Sequence, residues 1–210
     1  MLGLPLQRWC HENPKQKYSN LLNERDMTTT QKSIAVFCGA KPGNNPKYVA
    51  LAREFGISMA QQGYRLVYGG GRVGLMGAIA DGALSAGGQV LGVMPIAMRE
   101  RELAHPGLTE LEIVPNMSIR KDRMIAESDA FVALPGGLGT LDELFEVMTL
   151  RQTGYHQKPV ALLDQDGYFQ PLIAACRYMM EAEFVYTREF DYLIVGADTR
   201  EVLDGIGSLL

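Results

Sequence analysis

The residues best suited to chemistry lie in one short stretch. Pro135-Gly136-Gly137-Leu138-Gly139-Thr140-Leu141-Asp142-Glu143 follows an apolar run and opens a helical pattern. Glycines let a backbone approach a ligand closely, and the free amides of a helix start attract an anion such as a phosphate. Gly136, Gly137, Gly139 and Thr140 are therefore candidate phosphate contacts. Glu143 stands three residues beyond Thr140, and two readings of it compete. Thr140-x-x-Glu143 fits a capping box, in which the carboxylate turns back onto a backbone amide and only secures the helix start. Alternatively, the helix N-terminus keeps Glu143 ionised beside a bound phosphosugar. A carboxylate there can stabilise an oxocarbenium-like ribosyl centre or orient water, the work carboxylates do in glycoside cleavage. Glu146, one turn on, is a second candidate. Spacing alone leaves both readings open.

Two other stretches carry possible chemistry. Gly69-Gly70-Gly71-Arg72-Val73-Gly74 matches G-x-G-x-x-G between a strand and a helix. A dinucleotide site would also need an acid at the end of the next strand. That strand ends Gly92-Val93-Met94-Pro95, without one. Met117-Ser118-Ile119-Arg120-Lys121-Asp122-Arg123 opens a further helix. The ordinary reading of such a run is a solvated charged face. An arginine near the glycine loop could instead fork onto a phosphate or a leaving group. His11, His105 and His156 are scattered and make no metal constellation, and G-x-S-x-G is absent. No metal site is expected.

These residues need elements to hold them. Short apolar runs (34–38, 65–68, 89–94, 111–114, 131–134, 160–163 and 192–195) alternate with helical patterns at 46–62, 75–86, 117–128, 140–152, 168–181 and 199–206. Residues 95–108 read as an irregular charged loop. Such alternation predicts an α/β, Rossmann-like three-layer fold: a mostly parallel sheet covered by helices on both faces. In such sheets ligands sit beyond the carboxyl ends of the strands, where three glycine-rich loops fall (Gly39, Gly69–Gly71 and Gly136–Gly139). Residues 1–31 show no lasting period and read as a flexible tail, packed at most through Trp9. Residues 32–210 read as a single nucleotide-binding catalytic domain.

Composition narrows the class. The chain has 210 residues, 47% of them hydrophobic and 21% charged, which excludes wholesale disorder. Its net charge of −4 argues against non-specific nucleic-acid or membrane binding. No apolar run approaches the roughly 18 residues of a membrane span, and the first residues lack a signal-peptide pattern. Three cysteines, Cys10, Cys38 and Cys176, are widely spaced, which fits neither a disulfide framework nor a metal knuckle. The expectation is a soluble, cytoplasmic protein that takes a small-molecule ligand.

In order along the chain come Phe37-Cys38-Gly39, Gly69-Gly70-Gly71-Arg72-Val73-Gly74-Leu75-Met76-Gly77, Met117-x-x-Arg120-Lys121, Pro135-Gly136-Gly137-x-Gly139-Thr140-x-x-Glu143 and Lys158-Pro159-Val160. Together they resemble the LOG ("Lonely guy") family of cytokinin riboside 5′-monophosphate phosphoribohydrolases, from about Ser33 to Leu210. The "lysine decarboxylase" label often attached to relatives finds no support here, because no pyridoxal-binding pattern is visible. The resemblance implies hydrolysis of the N-glycosidic bond of a nucleoside 5′-monophosphate, either AMP or a cytokinin nucleotide, with no metal or redox cofactor. It implies Arg120 and Glu143 as the catalytic pair. It implies substrate contacts from Gly70, Gly71, Gly74, Met117, Lys121, Gly136, Gly137, Gly139, Thr140 and Glu146. A homodimer or larger homo-oligomer is also implied. Ser118 and Ala40 depart from the family's frequent His and Ser, and neither belongs to the Arg120/Glu143 pair. The rival from another class is a nucleotide-binding module without catalysis, which needs the glycines but not the carboxylate.

Overall fold

A computed structural model describes residues 31–99, 104–186 and 190–210. The expected tail lies outside the described residues, except for Gln31, whose side chain donates to the Gly63 carbonyl at 2.9 Å. The strands are β1 (Ser33–Phe37), β2 (Arg65–Tyr68), β3 (Val90–Pro95), β4 (Glu110–Val114), β5 (Ala130–Ala133), β6 (Val160–Leu163) and β7 (Leu193–Gly196). The helices are α1 (Pro46–Gln61), α2 (Gly74–Ser85), α3 (Ile96–Arg99), α4 (Met117–Ala126), α5 (Leu138–Gln152), α6 (Gln170–Glu181) and α7 (Thr199–Gly207). All seven strands pair in parallel, in the order β4-β3-β2-β1-β5-β6-β7. The three-layer α/β expectation holds.

Alternation within the strands explains the layers. Ile34 and Val36 of β1 enter one core with Leu51, Phe55 and Met59 of α1 and Val202 and Ile206 of α7. Ala35 and Phe37 enter the other, with Met124 and Ile125 of α4 and Leu144 and Val147 of α5. Because both faces are covered, every residue of β1 and of β5 is buried. Gly56 and Gly82 bring α1 and α2 together. A Cβ at Gly56 would overlap the Ile79 carbonyl oxygen, and one at Gly82 that of Arg53. Among the described residues no helix is long and apolar enough to cross a membrane.

Several element boundaries differ from the sequence expectation, among them the start of α5 at Leu138 and the end of α4 at Ala126. Part of the segment expected as irregular loop is helical, since Ile96–Arg99 turns directly out of β3. The sixth helix opens not at Tyr168 but at Gln170, after a 3₁₀ turn at Gln165–Gly167. Pro171 suits that first helical turn, because its missing N–H would have no partner there in any case.

The sheet order reverses between β1 and β5. Chain connections leave in opposite directions from these two neighbours, and a crevice opens beyond their carboxyl ends. The three glycine-rich loops converge on this crevice.

One buried histidine supports the β5–β6 side. The His156 ring Nε2 donates to the Val147 carbonyl at 2.9 Å, and its Nδ1 accepts from the Lys158 amide at 3.1 Å. Burial holds the ring neutral and lowers its pKa from 6.5 to about 4. The unfolded chain therefore takes up this proton before the folded one does. Stability should fall as pH drops from about 6.5 to about 4, by roughly 3 kcal/mol if the shift is fully expressed. Urea denaturation across that window checks this, and His156→Gln should flatten the slope. An equal slope in the variant would assign the dependence to other groups.

Candidate active site

The crevice holds a cavity of about 520 Å³, within the usual range for small-molecule sites. Its walls come from the loop after β1 (Cys38 to Gly43), Gly69 after β2, the loop after β5 (Pro135 to Gly137) and the first turns of α4 and α5. Arg120 and Glu143 both line it. Arg120 is 7% exposed and Glu143 8%, and their side chains meet at 2.8 Å between Nη1 and Oε1.

Each partner is placed by its own helix. Asn116 caps α4 by accepting from the Ile119 amide at 3.0 Å, which sets Arg120 facing inward. The Arg120 Nε donates to the Val93 carbonyl of β3 at 3.1 Å. Gly69 makes room for the guanidinium, because a Cβ there would overlap Arg120 Nη2. The charged run is therefore not wholly a solvated face. Arg120 turns into the cavity, while Arg123 pairs with Glu112 and Glu127 at 3.0 Å each.

The capping-box reading of Glu143 does not survive. Gly137 is the N-cap of α5, with no side-chain cap, and the helix begins at Leu138. Thr140 thus sits inside the first turn, where a Cβ on Gly136 would strike its Oγ1. Glu143 lies nearly a turn further on, and its carboxylate accepts from Arg120 rather than from a backbone amide. Burial pushes the Glu143 carboxyl above the ordinary carboxylate range, and the Arg120 charge opposes that shift without cancelling it.

The loop glycines separate by function. Gly39 and Gly136 pack back to back, with the Gly39 amide donating to the Pro135 carbonyl at 3.1 Å. Gly137 and Gly139 are different. Neither lies in the left-handed region, and a Cβ on either would meet no atom within 4 Å. Backbone conformation and internal packing leave them free to be other residues, so what glycine provides is open space over the amides that start α5.

Most of the remaining sequence candidates lie apart from the lining. Gly70, Gly71 and Gly74 shape the loop behind Gly69. Gly70 has φ +81°, Gly71 bridges to Ala104, and Gly74, at φ +64°, packs so closely on Ala40 and Lys41 that a Cβ would overlap them. Lys121 reaches Asp142 at 3.1 Å and Glu146 at 2.9 Å. Partial burial disfavours its charge, but those two carboxylates outweigh it and hold the ammonium above its ordinary range. Met117 does line the cavity. Tyr48, Tyr168 and Cys38 line it as well; no motif marks the two tyrosines, and Cys38 stands in the Phe37-Cys38-Gly39 stretch with no role implied for it. For Cys38 and Tyr168 the available signal is their position beyond the carboxyl ends of β1 and β6.

The ion pair makes a stability prediction. Removing Arg120 while keeping Glu143 should cost on the order of 3–5 kcal/mol at neutral pH, because a buried charge loses its partner. Arg120→Met combined with Glu143→Gln should recover part of that loss. A double-mutant cycle by chemical denaturation reads the coupling. Strict additivity would show that the two groups do not interact in solution.

The family model described as "Possible lysine decarboxylase" matches residues 76–206. A cytokinin riboside 5′-monophosphate phosphoribohydrolase of Rhodococcoides fascians is 44% identical over 180 residues, covering 85% of this chain and 91% of the relative. A probable cytokinin riboside 5′-monophosphate phosphoribohydrolase of Oryza sativa subsp. japonica is 48% identical over 141 residues, covering 67% of this chain and 63% of that one. Among solved structures, the molybdenum cofactor binding protein of the phototrophic bacterium Rippkaea orientalis superposes with a TM-score of 0.67 at 22% identity, covering 87% of this chain and 99% of that one. That likeness is one of fold. At the level of sequence, the chain belongs to the LOG family of cytokinin riboside 5′-monophosphate phosphoribohydrolases.

Proposed function

We propose that the protein hydrolyses the N-glycosidic bond of a nucleoside 5′-monophosphate, AMP or an N6-substituted cytokinin nucleotide, to free base and ribose 5-phosphate. The observation that carries this reading is the buried Arg120–Glu143 pair in the wall of a cavity whose rim is the glycine-lined start of α5. On this reading the 5′-phosphate sits against the open amides near Gly137 and Gly139. The ribose then lies toward Glu143. The bond from C1′ to the base nitrogen breaks with its electrons leaving on the base, and positive charge builds at C1′. The Glu143 carboxylate stabilises that charge and orients the attacking water. Water oxygen bonds to C1′, and its proton goes by way of the site to the base. Arg120 holds the carboxylate in place through one nitrogen while Val93 fixes another. Such charges act strongly because they are oriented before the reaction begins.

The activity of these relatives, as their names give it, supports the cytokinin nucleotide as a substrate. Homodimeric or larger assembly is part of the proposal, and the exposed Tyr178, Phe184 and Tyr186 on and just after α6 support it. Light scattering that returned only 23.1 kDa at micromolar concentrations would overturn the assembly. A cytoplasmic setting is likewise proposed, and the free buried thiols of Cys38 and Cys176 support it.

The defining experiment incubates pure protein with AMP and with isopentenyladenosine monophosphate and measures base and ribose 5-phosphate. Release of neither base rejects the proposal. Glu143→Gln keeps the shape and should lower kcat by roughly 10²-fold or more. Near-normal turnover in that variant would remove Glu143 from the chemistry.

The pH profile follows from the raised Glu143 pKa. The ionised form is the active one, so activity is present above that pKa and is lost as pH falls through it. The acid limb of kcat should lie above the ordinary 4.5 of a glutamate. Full activity well below that value would contradict the assignment.

A further inference from the structure

Tyr168 follows the turn Gln165–Gly167 beyond β6 and lines the cavity. The turn is firmly held. The Asp164 carboxylate accepts from the Phe169 amide and from the Gln170 side chain. Phe169 is 2% exposed, and Lys47 of α1 pairs with Asp166 at 3.1 Å. The Tyr168 ring meets Tyr48 edge-on with centroids 5.6 Å apart, and meets Phe169 in the same manner at 5.1 Å. Its hydroxyl donates to the Gly136 carbonyl at 2.6 Å. Tyr168 thus ties the turn after β6 to α1 and to the loop after β5.

That carbonyl belongs to a peptide between two glycines. Such a peptide meets little steric resistance to rotation, because neither flanking residue has a Cβ. In a trans peptide the carbonyl of one residue and the N–H of the next point in opposite directions, and the described residues contain no cis bond. Fixing the Gly136 oxygen therefore also fixes the Gly137 N–H. Gly137 is the N-cap of α5, and its own carbonyl accepts from the Leu141 amide at 3.1 Å. If the Gly136–Gly137 peptide rotated, an oxygen would replace an N–H at the helix start, and an anion there would meet a repulsive dipole.

We infer that Tyr168 is a positioning residue for the phosphate: by holding the Gly136 carbonyl, its hydroxyl keeps the Gly137 N–H, and not an oxygen, available to the 5′-phosphate. This rests on the phosphoribohydrolase reading above and adds to it a residue that contributes through the loop.

The test uses Tyr168→Phe, which keeps both ring contacts and removes only the hydroxyl. kcat/KM is measured for AMP and for adenosine, together with the inhibition constant of ribose 5-phosphate and the melting temperature. The expected result is a fall of about 10-fold or more in the AMP-to-adenosine ratio, the scale of one hydrogen bond to a charged group. Ribose 5-phosphate should inhibit more weakly by a similar factor, with the melting temperature unchanged. A ratio and an inhibition constant equal to those of the wild type overturn the inference and leave the parent reading standing, whatever happens to the melting temperature. A wild-type protein that cleaves AMP and adenosine alike overturns both.

Discussion

The arrangement of the site depends on one buried ion pair. Arg120 and Glu143 meet at 2.8 Å where water scarcely reaches. Taking two charges out of water is expensive, and their mutual attraction offsets this only when geometry is good and the remaining donors are satisfied. The Val93 carbonyl satisfies Arg120 Nε. Gly69 clears the path of the guanidinium. Strand β3, the residue after β2, and helices α4 and α5 must therefore agree on one position. The reversal of strand order between β1 and β5 brings them together, because only there do loops from both halves of the sheet face one crevice.

The glycines around that crevice do three different jobs. Gly70 and Gly74 take left-handed backbone that other residues adopt only with strain. Gly39, Gly69 and Gly136 allow close approach, to loop backbone in one case, to a guanidinium in another and to a threonine hydroxyl in the third. Gly137 and Gly139 serve neither purpose and leave the start of α5 open. A motif of letters treats these positions alike, but their physical requirements differ. This is why the G-x-G-x-x-G match misleads: its glycines mainly build the seat for Arg120 and the contact of α2 with the β1 loop.

Much of the fold could be read from the chain, because periodicity is a local property. The strands at 65–68 and 160–163 coincide with the apolar runs in the sequence. The boundaries that shift are those set by contacts distant in sequence. α5 starts at Leu138, just after Pro135 and Gly136 pack on Gly39 of the loop after β1, a contact that no local pattern encodes. Whether Glu143 caps its helix or pairs with a side chain elsewhere is likewise not local. It turns on Arg120, which is 23 residues away in sequence. Tyr168 carries no motif at all, and its relation to Gly136 spans 32 residues.

A fold of this kind does not by itself imply chemistry, since the crevice of a parallel sheet serves binding and catalysis alike. The distinction lies in what is buried there. A protein that only held a nucleotide would gain from open helix-start amides and from apolar walls. It would gain little from a carboxylate whose burial raises its pKa and whose partner must also be desolvated. Replacing such a pair with apolar side chains is often neutral or stabilising. A charge placed at such a cost has a use where a reaction develops the opposite charge, because a group that is already desolvated and oriented need not reorganise at that moment. Glu143 is such a group: it is desolvated, held by Arg120, and faces the same cavity as the start of α5.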